Sequence, residues 1–270
     1  NEIVATSYNP VLVLLSYGFA VLGSYIALNG VYKLRTFREA HTSHRIEKIM
    51  GLPEQRTIVP SNRIYNATLL VSGVAFGGIG VWAMHFMGQL ALRMPVDVDY
   101  AIAETLLSLV AAIAAATWGL SMVARNPHSW LRLIAAGAML GLGVSAMHYL
   151  GMYSMRFGGF FLWNWSLVAL SMLIAFVAAT AGLWLAFKTN TLLTRLLAAL
   201  VMGGAVCAMH YTGMAAADVV CTTAPLVSDQ ANAHIIGGLQ LPVLLVGLMV
   251  SIGLAVTLDR MYAPHLRIRT

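Results

Sequence analysis

Charged residues are scarce in this sequence. Asp, Glu, Lys and Arg make up 10% of its 270 residues, against about 25% in an average soluble domain. The chain holds only two cysteines, which excludes a disulfide-stapled scaffold and a multi-cysteine zinc ribbon. Hydrophobic residues make up 59% of the chain, so it is not an intrinsically disordered protein either. The composition is typical of an all-α membrane protein that crosses the bilayer several times.

Seven stretches are long and apolar enough to cross a bilayer, which takes about 20 residues. The loops after the first, third, fifth and seventh stretch hold 14 of the 16 Lys and Arg residues. Because basic loops stay in the cytoplasm, we expect the N-terminus outside, the C-terminus in the cytoplasm and one membrane-embedded domain over residues 1–270. The predicted spans are 10–32, 64–91, 100–124, 133–155, 165–187, 196–217 and 238–258.

This loop asymmetry also accounts for most of the formal net charge of +6, so we expect no nucleic-acid partner. The one long polar segment, residues 33–63, interleaves apolar side chains with seven basic ones. It fits a basic amphipathic helix on the inner leaflet and equally a solvated linker. Gly51 and Pro53 are expected to end any helix there.

Three of the spans carry the same motif, Ala-Met-His followed by an aromatic residue. The histidines His85, His148 and His210 are 63 and 62 residues apart. Such a period indicates an internal repeat of two helices. The repeat pairs span one with span two, three with four and five with six, and the seventh span has no partner in this scheme. Glycines precede each motif, and we interpret them as surfaces for close helix packing.

The three histidines are expected to share one depth in the membrane. Each lies 6 or 7 residues before the predicted outer end of its span, about 10 Å at 1.5 Å per residue. An ionisable side chain inside a span is costly and usually functional, so three at one depth indicate a shared metal site.

Methionines accompany the histidines. Met152 and Met214 lie four residues after their histidine and share its helix face, whereas the first copy has Gln89 there. Imidazole with thioether suits copper, with zinc as the alternative. The residue before each histidine is a less certain ligand. The predicted metal ligands are His85, His148, His210, Met152, Met214, Met84, Met147 and Met209.

Other polar groups near the motifs have roles that the sequence leaves open. Tyr149 and Tyr211 adjoin the predicted ligands, where they fit either hydrogen-bond donors to the site or ordinary interface aromatics. Four further residues are candidates to join the site: Cys207, Cys221, Glu104 and His234.

The three motifs resemble the MHYT domain of bacterial membrane signalling proteins. Copies two and three match Met-His-Tyr-x-Gly-Met, and the third alone spells Met-His-Tyr-Thr in full. The first copy keeps Met84, His85, Phe86 and Gly88 but lacks the final methionine. The resemblance covers nearly the whole chain. It implies a sensory input domain in the bacterial cytoplasmic (inner) membrane, proposed to bind copper near the outer face and to sense oxygen, carbon monoxide or nitric oxide.

Members of that family are often fused to cyclic-di-GMP enzymes with GGDEF and EAL domains. No GGDEF, EAL or kinase motif occurs in this sequence. We therefore expect a sensor without enzymatic activity of its own, which relays its signal to a cytoplasmic output domain. Two alternatives stay open at this point: a metal or ion transporter and a protein that holds haem between two histidines.

Overall fold

The structure is a computed structural model that describes residues 2–3, 6–50, 61–94, 98–125, 129–222 and 235–237, together with Leu244, Gly247 and Ser251. Six helices in this part are each long and apolar enough to cross a membrane, so the chain is a multi-pass helical membrane protein. They are α1 (Pro10–Met50), α2 (Asn62–Ala91), α3 (Ile102–Arg125), α4 (Trp130–Tyr153), α5 (Trp165–Ala186) and α6 (Leu192–Ala215).

These helices match the first six predicted spans, with one large difference in α1. The predicted span ends at residue 32, whereas the helix continues to Met50. Residues 33–50 contain no glycine or proline and many good helix formers, so the helix extends beyond the apolar stretch and is neither a linker nor a separate helix. The predicted seventh span, 238–258, lies outside the described residues except for Leu244, Gly247 and Ser251, which are helical.

The helices form three hairpins, α1–α2, α3–α4 and α5–α6, arranged in a closed ring. Each helix packs against its neighbours in the chain, and α6 packs against α1. The motif helices α2, α4 and α6 are more buried than the entering helices α1, α3 and α5. They also contact one another in the centre of the ring. The two-helix repeat predicted from the motif spacing is therefore confirmed.

Glycines allow each motif helix to approach the entering helix of the next hairpin. A Cβ atom added at these positions would lie 2.5 to 3.0 Å from the nearest backbone atom of the neighbouring helix, closer than packed atoms approach. The interpretation of the glycines as packing surfaces is confirmed at three equivalent positions, whereas Gly204 contacts nothing within 4 Å among the described residues. The contacts are Gly77 with Ile113, Gly141 with Phe176 and Gly203 with Val21.

The motif helix α2 differs from the other two by a π-helical segment, Val74–Ala83. Its packing glycine Gly77 precedes His85 by eight residues, whereas Gly141 precedes His148 by seven, and α6 repeats the spacing of seven. A π-turn accommodates one more residue than an α-turn. The π-segment thus absorbs a one-residue insertion, so that glycine and histidine of α2 both keep the places they have in the other copies.

Short antiparallel strands lie at the end of the bundle that carries the motifs, here called the motif end. In each hairpin, the strand before the entering helix pairs with the strand after the motif helix: β2 with β3, β4 with β5 and β6 with β7. No strand was predicted at these positions from the sequence. The strands are β1 (Glu2–Ile3), β2 (Ser7–Tyr8), β3 (Leu92–Arg93), β4 (Asp99–Ala101), β5 (Met155–Arg156), β6 (Gly159–Trp163), β7 (Ala217–Cys221) and β8 (Ile235–Gly237).

The strand pairs obey the same repeat as the helices. One backbone hydrogen bond recurs six residues after each histidine, with N···O distances of 2.8 to 2.9 Å. The repeat unit is therefore strand, helix, helix, strand, and its two ends are joined directly above the motif. The donor and acceptor pairs are Asn9 with Ala91, Ala101 with Ser154 and Asn164 with Ala216.

Candidate metal centre

The three histidine side chains meet in the centre of the ring of helices. His85 and His148 are 0% exposed and His210 is 1% exposed. Their Nδ1 atoms form a triangle with sides of 3.1 Å (His85 to His210), 3.1 Å (His85 to His148) and 3.3 Å (His148 to His210). The predicted convergence of the three imidazoles is confirmed, since each comes from the motif helix of a different hairpin.

Hydrogen bonds cannot form across all three sides of this triangle. In a neutral imidazole, Nδ1 either carries a proton and donates, or carries a lone pair and accepts. Each of the three contacts needs one donor and one acceptor, and donors and acceptors cannot alternate around a ring of three. At least one pair therefore places two protons or two lone pairs against each other. A cation between three accepting nitrogens removes this conflict.

The far side of each imidazole lies against a glycine of the next motif. A Cβ atom on that glycine would overlap the Nε2 atom of the ring, so only glycine leaves room for the imidazole. The three Nε2 atoms are buried and have no hydrogen-bond partner in the described part of the chain. The contacts run around the ring of hairpins, from His85 to Gly151, from His148 to Gly213 and from His210 to Gly88.

Different layers close the two sides of the triangle. Four residues before the histidines, towards the end opposite the motif end, lie three buried valines, Val81, Val144 and Val206. Four residues after them, towards the motif end, lie Gln89, Met152 and Met214, also buried. Positions four apart share a helix face, so an apolar layer lies on one side of the imidazoles and a layer with thioether and amide groups on the other.

The methionines that precede the histidines are buried in the apolar core of the bundle. Met84, Met147 and Met209 are each at most 2% exposed and belong to its main hydrophobic cluster. Met209 also lines an apolar cavity of 40 Å³ between the helices. Coordination of a metal by these three methionines, or by Met152 and Met214, stays a prediction.

Three buried serines near the motifs were missed by the sequence analysis. Ser16 and Ser171 lie on the entering helices of the first and third hairpin, and they hydrogen-bond the hydroxyls of Tyr211 (2.8 Å) and Tyr149 (2.5 Å). Because each serine donates to a carbonyl of its own helix, the tyrosine is the donor. In the first copy Phe86 has no hydroxyl, and the Trp82 indole donates to the third serine, Ser108, at 3.0 Å.

These bonds join each motif helix to the next hairpin, so they should stabilise the closed ring. We expect Tyr211→Phe to lower the free energy of unfolding by about 1 kcal/mol, the usual contribution of one hydrogen bond. Thermal unfolding in detergent measures it. Tyr153→Phe is the matched control, because Tyr153 follows the second motif on α4 but is 66% exposed. Equal unfolding midpoints for the two variants would contradict a stabilising role.

Two tyrosines of the strand layer lie beside the motifs. The Tyr8 ring packs edge-on against Tyr211 with centroids 5.6 Å apart, and the Tyr100 ring packs on Phe86 at 5.7 Å. Burial, with a smaller effect of the Tyr211 hydroxyl, raises the pKa of Tyr8, and burial also raises the pKa of Tyr100. Both are therefore neutral at physiological pH and add no charge above the histidines.

Other candidate residues lie away from the triangle. The Glu104 carboxylate pairs with Arg156 at 2.6 Å. Cys207 is a half-buried free cysteine of α6, and Cys221 lies in strand β7. Among the described His, Cys, Asp and Glu residues, the group suited to a metal contains the three histidines alone. His234 lies outside the described residues.

A comparison with known protein families also finds a repeated unit in this chain. The profile of the MHYT family, described as a bacterial signalling protein N-terminal repeat, matches residues 78–136 and 141–199. The two matches begin 63 residues apart, the spacing of His85 and His148. No solved structure matches the chain.

The relatives are signalling proteins of bacteria. The bifunctional diguanylate cyclase/cyclic di-GMP phosphodiesterase MucR of Pseudomonas aeruginosa is 36% identical over 219 residues, 78% of this chain and 28% of its own length. The cyclic di-GMP phosphodiesterase NbdA of the same organism is 34% identical, over 78% of this chain and 24% of its length. Signaling protein YkoW of Bacillus subtilis is 26% identical, over 79% and 24%.

The chain thus spans about a quarter of the length of these relatives. The similarity concerns the part with the repeated motif, and the activities in the relatives' names belong to those whole proteins. The motif, its period and the family match all describe the same repeat: the chain belongs to the MHYT domain family.

Proposed function

We propose that this chain is a membrane-embedded sensory domain whose histidines His85, His148 and His210 bind a metal ion. Copper is the metal we favour, with zinc as the alternative. The observation that carries the proposal is the buried triangle of Nδ1 atoms, in which no arrangement of protons makes all three contacts hydrogen bonds. Leaving a buried polar group unpaired costs about 1–3 kcal/mol, and a bound cation removes that cost.

The spacing of the nitrogens supports a metal. Bonds of about 2.0–2.1 Å from metal to imidazole, at tetrahedral angles, place ligand nitrogens about 3.3–3.4 Å apart. The Nδ1 atoms are 3.1 to 3.3 Å apart, so small adjustments suffice. With Nδ1 as the ligand atom, Nε2 keeps the ring proton and lies against the glycine of the next motif, and this close contact restricts the rotation of each ring.

The surroundings favour copper. Thioethers are soft ligands that copper accepts and that zinc gains little from, and Met152 and Met214 are buried one turn beyond their histidines. Bound copper would supply a redox-active centre with an open coordination position. The chain holds the three imidazoles, excludes water with the valine layer and keeps the site at the interface of three hairpins.

The signal that we propose is a diatomic gas or a change in redox state. A change in how the imidazoles are held would act on all three hairpins at once, because each ring lies against the glycine of the next motif. Such coupling needs two states of the ring of helices with different affinities for the signal. The bonds from Tyr149 and Tyr211 to the entering helices connect the centre with the rest of the bundle.

We further propose that the chain lies in the bacterial inner membrane with its motif end outside, as its basic loops indicate. The relatives named for cyclic di-GMP turnover support an output domain with GGDEF or EAL sequences on the cytoplasmic side. The chain itself is proposed to act as the sensor without enzymatic activity of its own.

The two alternatives gain no support from the geometry. Haem between two histidines needs a porphyrin plane between the rings, and Nδ1 atoms 3.1 to 3.3 Å apart leave no space for it. A transport path through the centre meets the buried layer of Val81, Val144 and Val206.

Metal analysis of the detergent-purified chain tests the proposal. We expect close to one metal ion per chain in the wild type and less than a tenth of that in His148→Ala/His210→Ala, since two of three imidazole ligands are lost. The control is His41→Ala/His44→Ala, which removes two histidines at the opposite end of the bundle. A wild type without metal, or equal metal in the site variant, would refute the site.

A further inference from the structure

Gln89 breaks the repeat at a buried position. The second and third copies carry methionine four residues after the histidine, and the first carries glutamine. The Gln89 side chain is 2% exposed, and neither Oε1 nor Nε2 of its amide has a hydrogen-bond partner in the described structure. Buried amides are almost always paired, so this one needs a partner that the described part of the chain does not supply.

The helix geometry directs Gln89 towards the histidine triangle. It lies one turn beyond His85 on the same face of α2. Side chains lean towards the N-terminus of their helix, which for α2 is the end away from the strands, so the amide leans back over the imidazole layer. Met152 and Met214 hold the corresponding places on α4 and α6.

The two sides of the triangle differ in what they can contact. Val81, Val144 and Val206 offer neither a donor nor a metal ligand. A small ligand bound to a metal held by the three imidazoles can therefore contact a polar side chain of these two layers only on the side of Gln89. The amide is the single group in that layer that donates a hydrogen bond, because a thioether has no proton to donate.

We propose that Gln89 Nε2 donates a hydrogen bond to a small exogenous ligand at the open position of the metal, and so selects ligands with a charged or strongly accepting outer atom over carbon monoxide. This inference rests on the proposed metal site. It assigns Gln89 to ligand selection, a role that Met in the other two copies cannot perform.

Titrations of the copper-loaded chain test this assignment with azide and carbon monoxide as probes. Azide binding to Cu(II) is followed by its charge-transfer absorption, and carbon monoxide binding to Cu(I) by the carbon–oxygen stretch. We expect Gln89→Met to weaken azide binding about tenfold or more, the loss of one hydrogen bond to a charged group, and to change carbon monoxide affinity less than threefold. Met87→Leu is the control, a buried position on another face of α2.

The outcomes separate the two proposals. Unchanged azide affinity in Gln89→Met, with copper content retained, overturns the role of Gln89 and leaves the metal site intact. Loss of copper from Gln89→Met also overturns it, because the amide would then be a metal ligand. A wild type that binds neither copper nor zinc overturns the metal site and this inference together.

Discussion

Gly213→Ala is expected to remove the metal and to destabilise the chain. A methyl group at this position would overlap Nε2 of His148 and lie 2.8 Å from its Cδ2 atom. The ring cannot swing away, because its other side faces His85 and His210 with centroids 4.9 and 5.2 Å distant. Overpacking of this kind costs about 1–3 kcal/mol. We expect metal content to fall at least tenfold, measured together with thermal unfolding.

Gly204→Ala provides the matched control on the same helix. A Cβ atom at Gly204 meets nothing within 4 Å among the described residues. Alanine is favoured over glycine inside a helix by about 0.5–1 kcal/mol, so this variant is expected to be slightly more stable than the wild type and to keep its metal. If Gly213→Ala behaved like Gly204→Ala, the imidazole would not lie against Gly213 and the triangle would be wrong.

A single-residue deletion is expected to remove the metal when it is made in α4 but not when it is made in α2. Removing Leu142 shortens the path from Gly141 to His148. Each residue of an α-helix contributes about 100° of rotation and 1.5 Å of rise, so the deletion turns His148 out of the triangle while its packing glycine stays in place. We expect a more than tenfold loss of metal. The equivalent deletion of Gly78 in α2 removes the extra residue of the π-segment, and there we expect metal content within twofold of the wild type.

The Gly78 deletion also tests the explanation of the π-helix. Without the extra residue, seven residues separate Gly77 from the histidine, as in α4 and α6. A regular α-helix then satisfies both contacts. Metal analysis and helix content by circular dichroism are the measurements. Loss of the metal in the Gly78 deletion as well would show that the π-segment itself, and not only the register of His85, is needed to form the centre.

The closed ring explains why three histidines from separate hairpins meet in one place. Each hairpin contributes one imidazole, accepts the imidazole of the preceding hairpin against its glycine, and is joined to its neighbours through a buried serine on its entering helix. Residues far apart in the chain therefore depend on one another. A change at the centre has to be shared by all three hairpins, which is the physical requirement for a sensor that reports through helix movement.

The part of this architecture that the sequence determines is local or periodic. Apolar length sets the membrane spans, and six described helices agree with it. The period of the Met-His-aromatic motif predicted the hairpin repeat and the convergence of His85, His148 and His210, because copies of one unit present the same side chain at the same level. The same pattern indicated the role of the packing glycines.

Only the tertiary structure decided which atoms face each other. The Nδ1 triangle, the imidazoles against the glycines of the next motif and the Tyr–Ser bonds join residues 22 to 195 positions apart, and no local pattern encodes such contacts. Apart from β6 and β7, the described strands have only two or three residues, which is too short for a sequence signal. The π-segment becomes interpretable only once the glycine contacts show that one residue is extra. The unpaired amide of Gln89 likewise follows from burial, because an exposed glutamine in that position would simply bind water.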